Sequence, residues 1–205
     1  MTIATLEQIT TITDVGARHW QPFDATSPGG ISFSGFLCRQ ESDKLGMLAV
    51  TALDGQERLE FIPAMPKIHY PYIQDREGRL QVSIPVPINV TDARFNVKLD
   101  GTAIIFYPLK DAAGQVLEVV ARTRLLPMLM PSRWGDWNGM LAEALPDRGP
   151  VEAAVRGQDV VLVFELWGYR NPHLVRYDTP LALTLHTAIR HRKPVSYRRL
   201  ADIAG

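Results

Sequence analysis

The sequence predicts an α+β domain built on antiparallel β-sheets, with short flanking helices on the outside. Three observations carry that prediction. Fifteen Gly and fifteen Pro cut the 205 residues into short pieces. Most of those pieces alternate apolar and polar residues at the strand period of two. Hydrophobic residues make up 46% of the chain against 21% charged, so a sizeable core is available and disorder is excluded as the main state.

The elements follow in order. Ile31 to Leu37, Gly46 to Leu53 and Arg58 to Ile62 are short strand candidates. Pro63, Pro66, Pro71, Pro85 and Pro87 make residues 63–90 a poor place for central strands, and extended loops and edge strands are expected there. Thr102 to Leu109 reads as a buried strand, Asp111-Ala-Ala-Gly114 as its turn, and Gln115 to Arg124 as the return. A four-residue turn would set Gly101 opposite Arg124 and Ala103 opposite Arg122. Ser132 is the expected cap of a helix carrying Trp137, Met140, Leu141 and Leu145. Pro150 suits the first turn of a short helix reaching Val155. Asp159 to Trp167 is a strongly apolar strand, and Leu181 to Arg190 a half-buried one. Ser196 looks like a further cap, two turns before Gly205, so a C-terminal truncation is expected. Residues 1–62 read as a β-rich N-terminal region or appendage, and 63–205 as the main domain, incomplete at its end.

Charge and cysteine usage narrow the function classes. Twenty-two basic residues balance 22 acidic ones, which argues against a globally basic nucleic-acid coat. Arg190-His-Arg-Lys193, with Arg198 and Arg199, is a local basic cluster that can meet RNA phosphates, although a solvated surface is the commoner use of such a run. The single Cys38 excludes an internal disulfide and suits a reducing, cytoplasmic setting. No apolar run approaches the length of a membrane span. Among the five histidines none has convincing metal-ligand spacing, so no protein-held metal site is expected.

Three segments carry chemistry: Lys98-Leu-Asp-Gly101, Arg122-Thr-Arg124 and Phe164-Glu-Leu-Trp-Gly168. Glu165 is the anomaly among them. It interrupts the apolar run Val160-Val-Leu-Val-Phe164, where a carboxylate is costly unless paired or bound to a ligand. A lysine amine is a nucleophile only when neutral, and neighbouring cations with partial desolvation favour that form. Those cations would also hold phosphates and stabilise charge as a phosphoryl bond breaks. The set suits attack by Lys98 on a nucleotide α-phosphate, with magnesium neutralising the triphosphate.

The same residues resemble the ATP-dependent RNA ligases of the covalent nucleotidyltransferase superfamily. Lys98-Leu-Asp-Gly101 is similar to the family's nucleophile motif, and Arg122-Thr-Arg124 to the arginine-bearing segment that follows it. Phe164-Glu-Leu-Trp-Gly168, running on to Asn171-Pro-His-Leu-Val-Arg-Tyr177, resembles the later strand motif with its ribose-contacting glutamate. The resemblance covers roughly residues 65–200. It implies a nucleotidyltransferase domain holding ATP, with Mg2+, in a cleft between sheets, and sealing of 5′-phosphate and 3′-hydroxyl RNA ends through a lysyl-AMP intermediate. It makes Lys98 the nucleophile, places Arg122 or Arg124 at the AMP ribose or phosphate and Glu165 at the ribose, and gives Asp100 and Gly101 the shaping of the loop, with Gly101 letting the backbone approach the ligand. Val97 stands where family members often have glutamate, and the family's later Glu-Gly and two-lysine strand motifs have no counterpart after Tyr177. A catalytically incomplete nucleotide- or RNA-binding module and a capping-type guanylyltransferase are the alternative readings.

Overall fold

The structure, a computed structural model, describes residues 3–65, 72–82, 97–132, 135–195 and 203. They form an α+β arrangement of antiparallel sheets. Helix α1 (Ile3–Thr13) leads into a four-stranded meander of β1 (Trp20–Thr26), β2 (Ser32–Cys38), β3 (Leu48–Leu53) and β4 (Gln56–Ile62). Strands β5 (Tyr72–Gln74) and β6 (Leu80–Val82) make a small ladder of their own. Then come β7 (Thr102–Lys110), β8 (Val116–Thr123), the two-residue strands β9 (Pro131–Ser132) and β10 (Gly135–Asp136), and helices α2 (Trp137–Ala144) and α3 (Gly149–Gln158). The chain returns through β11 (Val161–Trp167), β12 (Ala182–Arg190) and β13 (Lys193–Pro194), giving a five-stranded sheet in the order β13-β12-β11-β7-β8. By contacts the chain divides into two units, Met1–Pro66 with Asp100–Gly205, and Lys67–Leu99. Among the described residues no helix is long and apolar enough to cross a membrane.

The strands alternate as the period-two pattern requires, and each face has its own cover. One face of the five-stranded sheet, with Ile105, Tyr107, Leu109, Val120, Val161, Val163 and Ile189, packs on Phe33, Leu37, Leu48, Val50, Leu53 and Ile62 of the four-stranded sheet. The space between these sheets is therefore filled by side chains over its centre. The opposite face carries Ile104, Phe106, Val119, Ala121, Leu162, Phe164 and Leu166, covered by Trp137, Met140 and Leu141 of α2 and Val155 of α3. Ile9, Val15, Trp20, Phe36, Cys38, Met47 and Ala49 close the outer side of the meander.

Three expectations need correction. Helix α1 was not legible, because Ile-Ala-Thr-Leu-Glu-Gln-Ile-Thr-Thr-Ile-Thr is rich in β-branched residues with poor helix propensity. Tertiary burial of Ile9 and Val15 overrides that preference. The cap of α2 is Asp136, not Ser132: its carboxylate accepts from the N–H groups of Asn138 and Gly139, while Ser132 pairs with Gly135 in a short ladder. In the β7–β8 hairpin the pairing is shifted by two residues, so that Ile105 rather than Ala103 faces Arg122. The turn itself forms as expected, with Asp111 Oδ1 accepting from Ala113 and Gln115 and Gly114 at φ +83. Its closing pair is Asp111 with Gln115, and a bulge next to Lys110 adds one further residue to β8. A shift of two preserves the face on which each side chain lies. The helix expected from Ser196 lies outside the described residues, as does most of 63–90 beyond β5 and β6.

Candidate functional site

The register of the five-stranded sheet sorts the singled-out residues into rows. Val163 on β11, Ile105 on β7 and Arg122 on β8 form one row. Glu165 pairs with Ala103 in the next, at the end where β8 stops at Thr123 and Arg124 follows. Arg122, Arg124 and Glu165 therefore belong to one sheet face, with Arg122 one row deeper.

Arg122 is fully buried, at 0% exposure. Its Nη1 donates to the carbonyls of Gly46 at 2.8 Å and Arg124 at 3.1 Å, and its Nη2 to that of Pro63 at 3.3 Å. The guanidinium carbon lies 5.6 Å from the centroid of the Tyr107 ring. Burial pushes its pKa down to about 10, below the usual arginine range. With both terminal nitrogens committed to backbone and no exposed surface, Arg122 braces the chain at Gly46, Pro63 and Arg124, and its Nε has no hydrogen-bond partner among the described residues.

Arg124 is different. It is half-buried where Arg122 is fully buried, and its Nε, like that of Arg122, has no hydrogen-bond partner among the described residues. Burial pushes its pKa down and the Glu165 carboxylate pulls it back up. Glu165 is itself half-buried near the end of a strand whose first four residues are buried, and its Oε1 accepts from Gly101 N–H at 2.9 Å. The costly carboxylate of the sequence is thus held by the backbone of one candidate motif and lies within electrostatic reach of another.

Asp100 and Gly101 shape the neighbouring loop. Asp100 Oδ2 accepts from Leu174 N–H at 2.7 Å and Val175 N–H at 2.8 Å, and its own N–H donates to Tyr177 Oη at 2.7 Å. A Cβ on Gly101 would collide with the carbonyl oxygen of Leu166, so glycine is required here for strand packing. That revises the expected reason, which was approach to a ligand. The side chains that complete this corner stand mostly within the third motif, where the sequence reading gave a role to Glu165 alone. Asn171 is buried and donates from Nδ2 to Leu166 O at 2.7 Å and Thr102 Oγ1 at 3.1 Å. His173 Nε2 lies 3.3 Å from Thr102 Oγ1. The Trp167 and Tyr177 rings meet at 4.8 Å, and Trp167 Nε1 donates to Thr184 Oγ1 at 2.9 Å. The signal was present, since all but Thr102 and Thr184 fall inside the stretch 164–177.

Lys98 belongs to the other contact unit, 67–99, where its side chain is exposed, as is that of Val97. His69 and the residues just before Val97 lie outside the described residues. Among the described residues no group of three or more His, Cys, Asp and Glu side chains gathers to hold a metal ion. At the other end of the sheet a shallow cavity of about 150 Å³ is lined by Glu60, Phe61, Lys110, Asp159, His191 and Arg192, among others. No protein-family model matches the chain, and no curated protein matches it significantly.

Proposed function

We propose that the chain is an ATP-dependent RNA ligase of the covalent nucleotidyltransferase type, with Lys98 as the nucleophile. The observation that supports this reading is the hydrogen bond from Gly101 N–H to Glu165 Oε1, with Arg124 beside it. Three stretches distant in sequence, each picked out for its chemistry, meet at one end of one sheet. In the proposed step the neutral Lys98 amine attacks the α-phosphorus of ATP. An N–P bond forms, the bond to the bridging oxygen breaks, pyrophosphate leaves, and the amine proton passes to solvent. Arg124 supplies positive charge for the phosphate or ribose, and Glu165 an acceptor for a ribose hydroxyl. Magnesium would be carried on triphosphate oxygens and supplies charge neutralisation. Arg122 leaves the ligand-binding set, because it is fully buried and both its terminal nitrogens donate to backbone carbonyls.

A second reading is favoured by one observation, the exposure of Lys98. It is a binding module that holds nucleotide or RNA without forming the lysyl adduct. Incubation with α-labelled ATP and magnesium, followed by a denaturing gel, separates the two. The ligase reading expects label on the wild type and none on Lys98→Ala. Nucleotide binding in solution with no covalent label would favour the module, and label from GTP but not ATP a capping-type enzyme.

A further inference from the structure

The basic run at residues 190–193 has no part in the proposed adenylylation, and the fold gives it a defined place. β12 and β13 are joined by His191 and Arg192, with Arg190 paired to Lys193. Both turn residues sit in the left-handed region, His191 at φ 49 and Arg192 at φ 63. A two-residue turn of this hand normally takes Asn-Gly, and side chains such as His and Arg strain it. The Arg192 guanidinium carbon lies 5.6 Å from the centroid of the Phe61 ring, and both residues line the cavity that also holds Glu60, Lys110 and Asp159. The other cations there are already engaged. Lys110 is ion-paired to Asp159, and Arg58 to Glu60 while it also donates to the Lys110 carbonyl. His191, Arg192 and Lys193 are exposed, and no carboxylate among the described residues is within ion-pair distance of Arg192 or Lys193.

We infer that this hairpin and cavity bind single-stranded RNA, with successive phosphates on Arg192 and Lys193 and one base stacked on the guanidinium plane that Phe61 supports. Cations on an exposed tip suit a backbone of regular negative charge. A guanidinium over an aromatic ring offers a face on which any base can stack. Glu60 and Asp159 at the cavity wall can accept from a base's exocyclic amine. The inference rests on the ligase reading for its choice of RNA, and it places part of the polynucleotide at the end of the sheet away from Glu165.

The test is fluorescence anisotropy of a labelled single-stranded RNA 12-mer over a series of salt concentrations. The double variant Arg192→Ala, Lys193→Ala is expected to lower affinity roughly tenfold near 0.1 M salt, and to flatten the log K against log salt slope by about 1.4, two phosphates' worth. Arg18→Ala, a control cation outside this hairpin, should leave both unchanged. Phe61→Leu should weaken binding with the salt slope intact, because the platform is lost and the charges stay. An unchanged slope in the double variant would overturn the inference, and so would competition by polyglutamate as effective as that by unlabelled RNA, which would mark an acidic protein as the partner. Covalent labelling at Lys98 is read in parallel. If the wild type takes no label and the double variant still loses RNA affinity, the ligase reading fails and the hairpin site stands.

Discussion

Arg122 and Arg124 are two residues apart on one strand face, chemically identical and equally conspicuous in the sequence. One is sealed in the interior over Tyr107 with its donors on three backbone carbonyls, and the other stands at the sheet's end beside Glu165. The difference comes from position along the strand. At the row of Ile105 and Val163 the neighbouring sheet still covers the face, so a cation there must be satisfied by protein. One row further the pairing of β8 has ended, and the guanidinium is only half-buried, with the Glu165 carboxylate in electrostatic reach. Burial along one strand thus separates a cation satisfied by backbone carbonyls from one that shares its surroundings with a carboxylate.

Substitutions can break that contrast, beginning with the largest effect. Arg122→Met should cost about 3–5 kcal/mol, since it strands the carbonyls of Gly46, Pro63 and Arg124 in the interior. Chemical denaturation would register this, and a loss below about 1 kcal/mol would return Arg122 to the ligand-binding set. Arg122→Lys should recover only part of it, because an ammonium cannot reproduce the planar fork. Gly101→Ala should cost about 2–3 kcal/mol through the clash with the Leu166 carbonyl, whether or not nucleotide is present. Asp100→Ala should cost about 1–2 kcal/mol and speed hydrogen exchange at Leu174 and Val175, whose N–H groups lose their acceptor. The smallest effect on stability should come from Glu165→Gln, which keeps an acceptor for Gly101 N–H and should change the melting temperature by less than about 3 °C. That variant should nevertheless lower covalent labelling by about tenfold. A melting loss with labelling intact would make Glu165 structural and erase the distinction between the two rows.

Much of the fold was legible because strands announce themselves locally. The period of two, the Asp-Ala-Ala-Gly turn and the Pro150 helix start are all short-range signals, and the corresponding elements form. Glu165 was equally legible, since a lone carboxylate in an apolar run has no cheap explanation. The rest depended on contacts distant in sequence. Helix α1 is specified by what covers Ile9, not by its own residues. The hairpin register turned on a bulge beside Lys110 that no turn motif encodes. Arg122 could not be told from Arg124, because its partners Gly46 and Pro63 lie 76 and 59 residues away.

The excursion of residues 67–99 leaves and re-enters the larger unit next to two fastened points. Before it, the Pro63 carbonyl is held by Arg122, and after it, the Asp100 N–H is held by Tyr177. All four residues that make these two bonds belong to the larger unit, so the fastening on either side of 67–99 is built without any side chain from it.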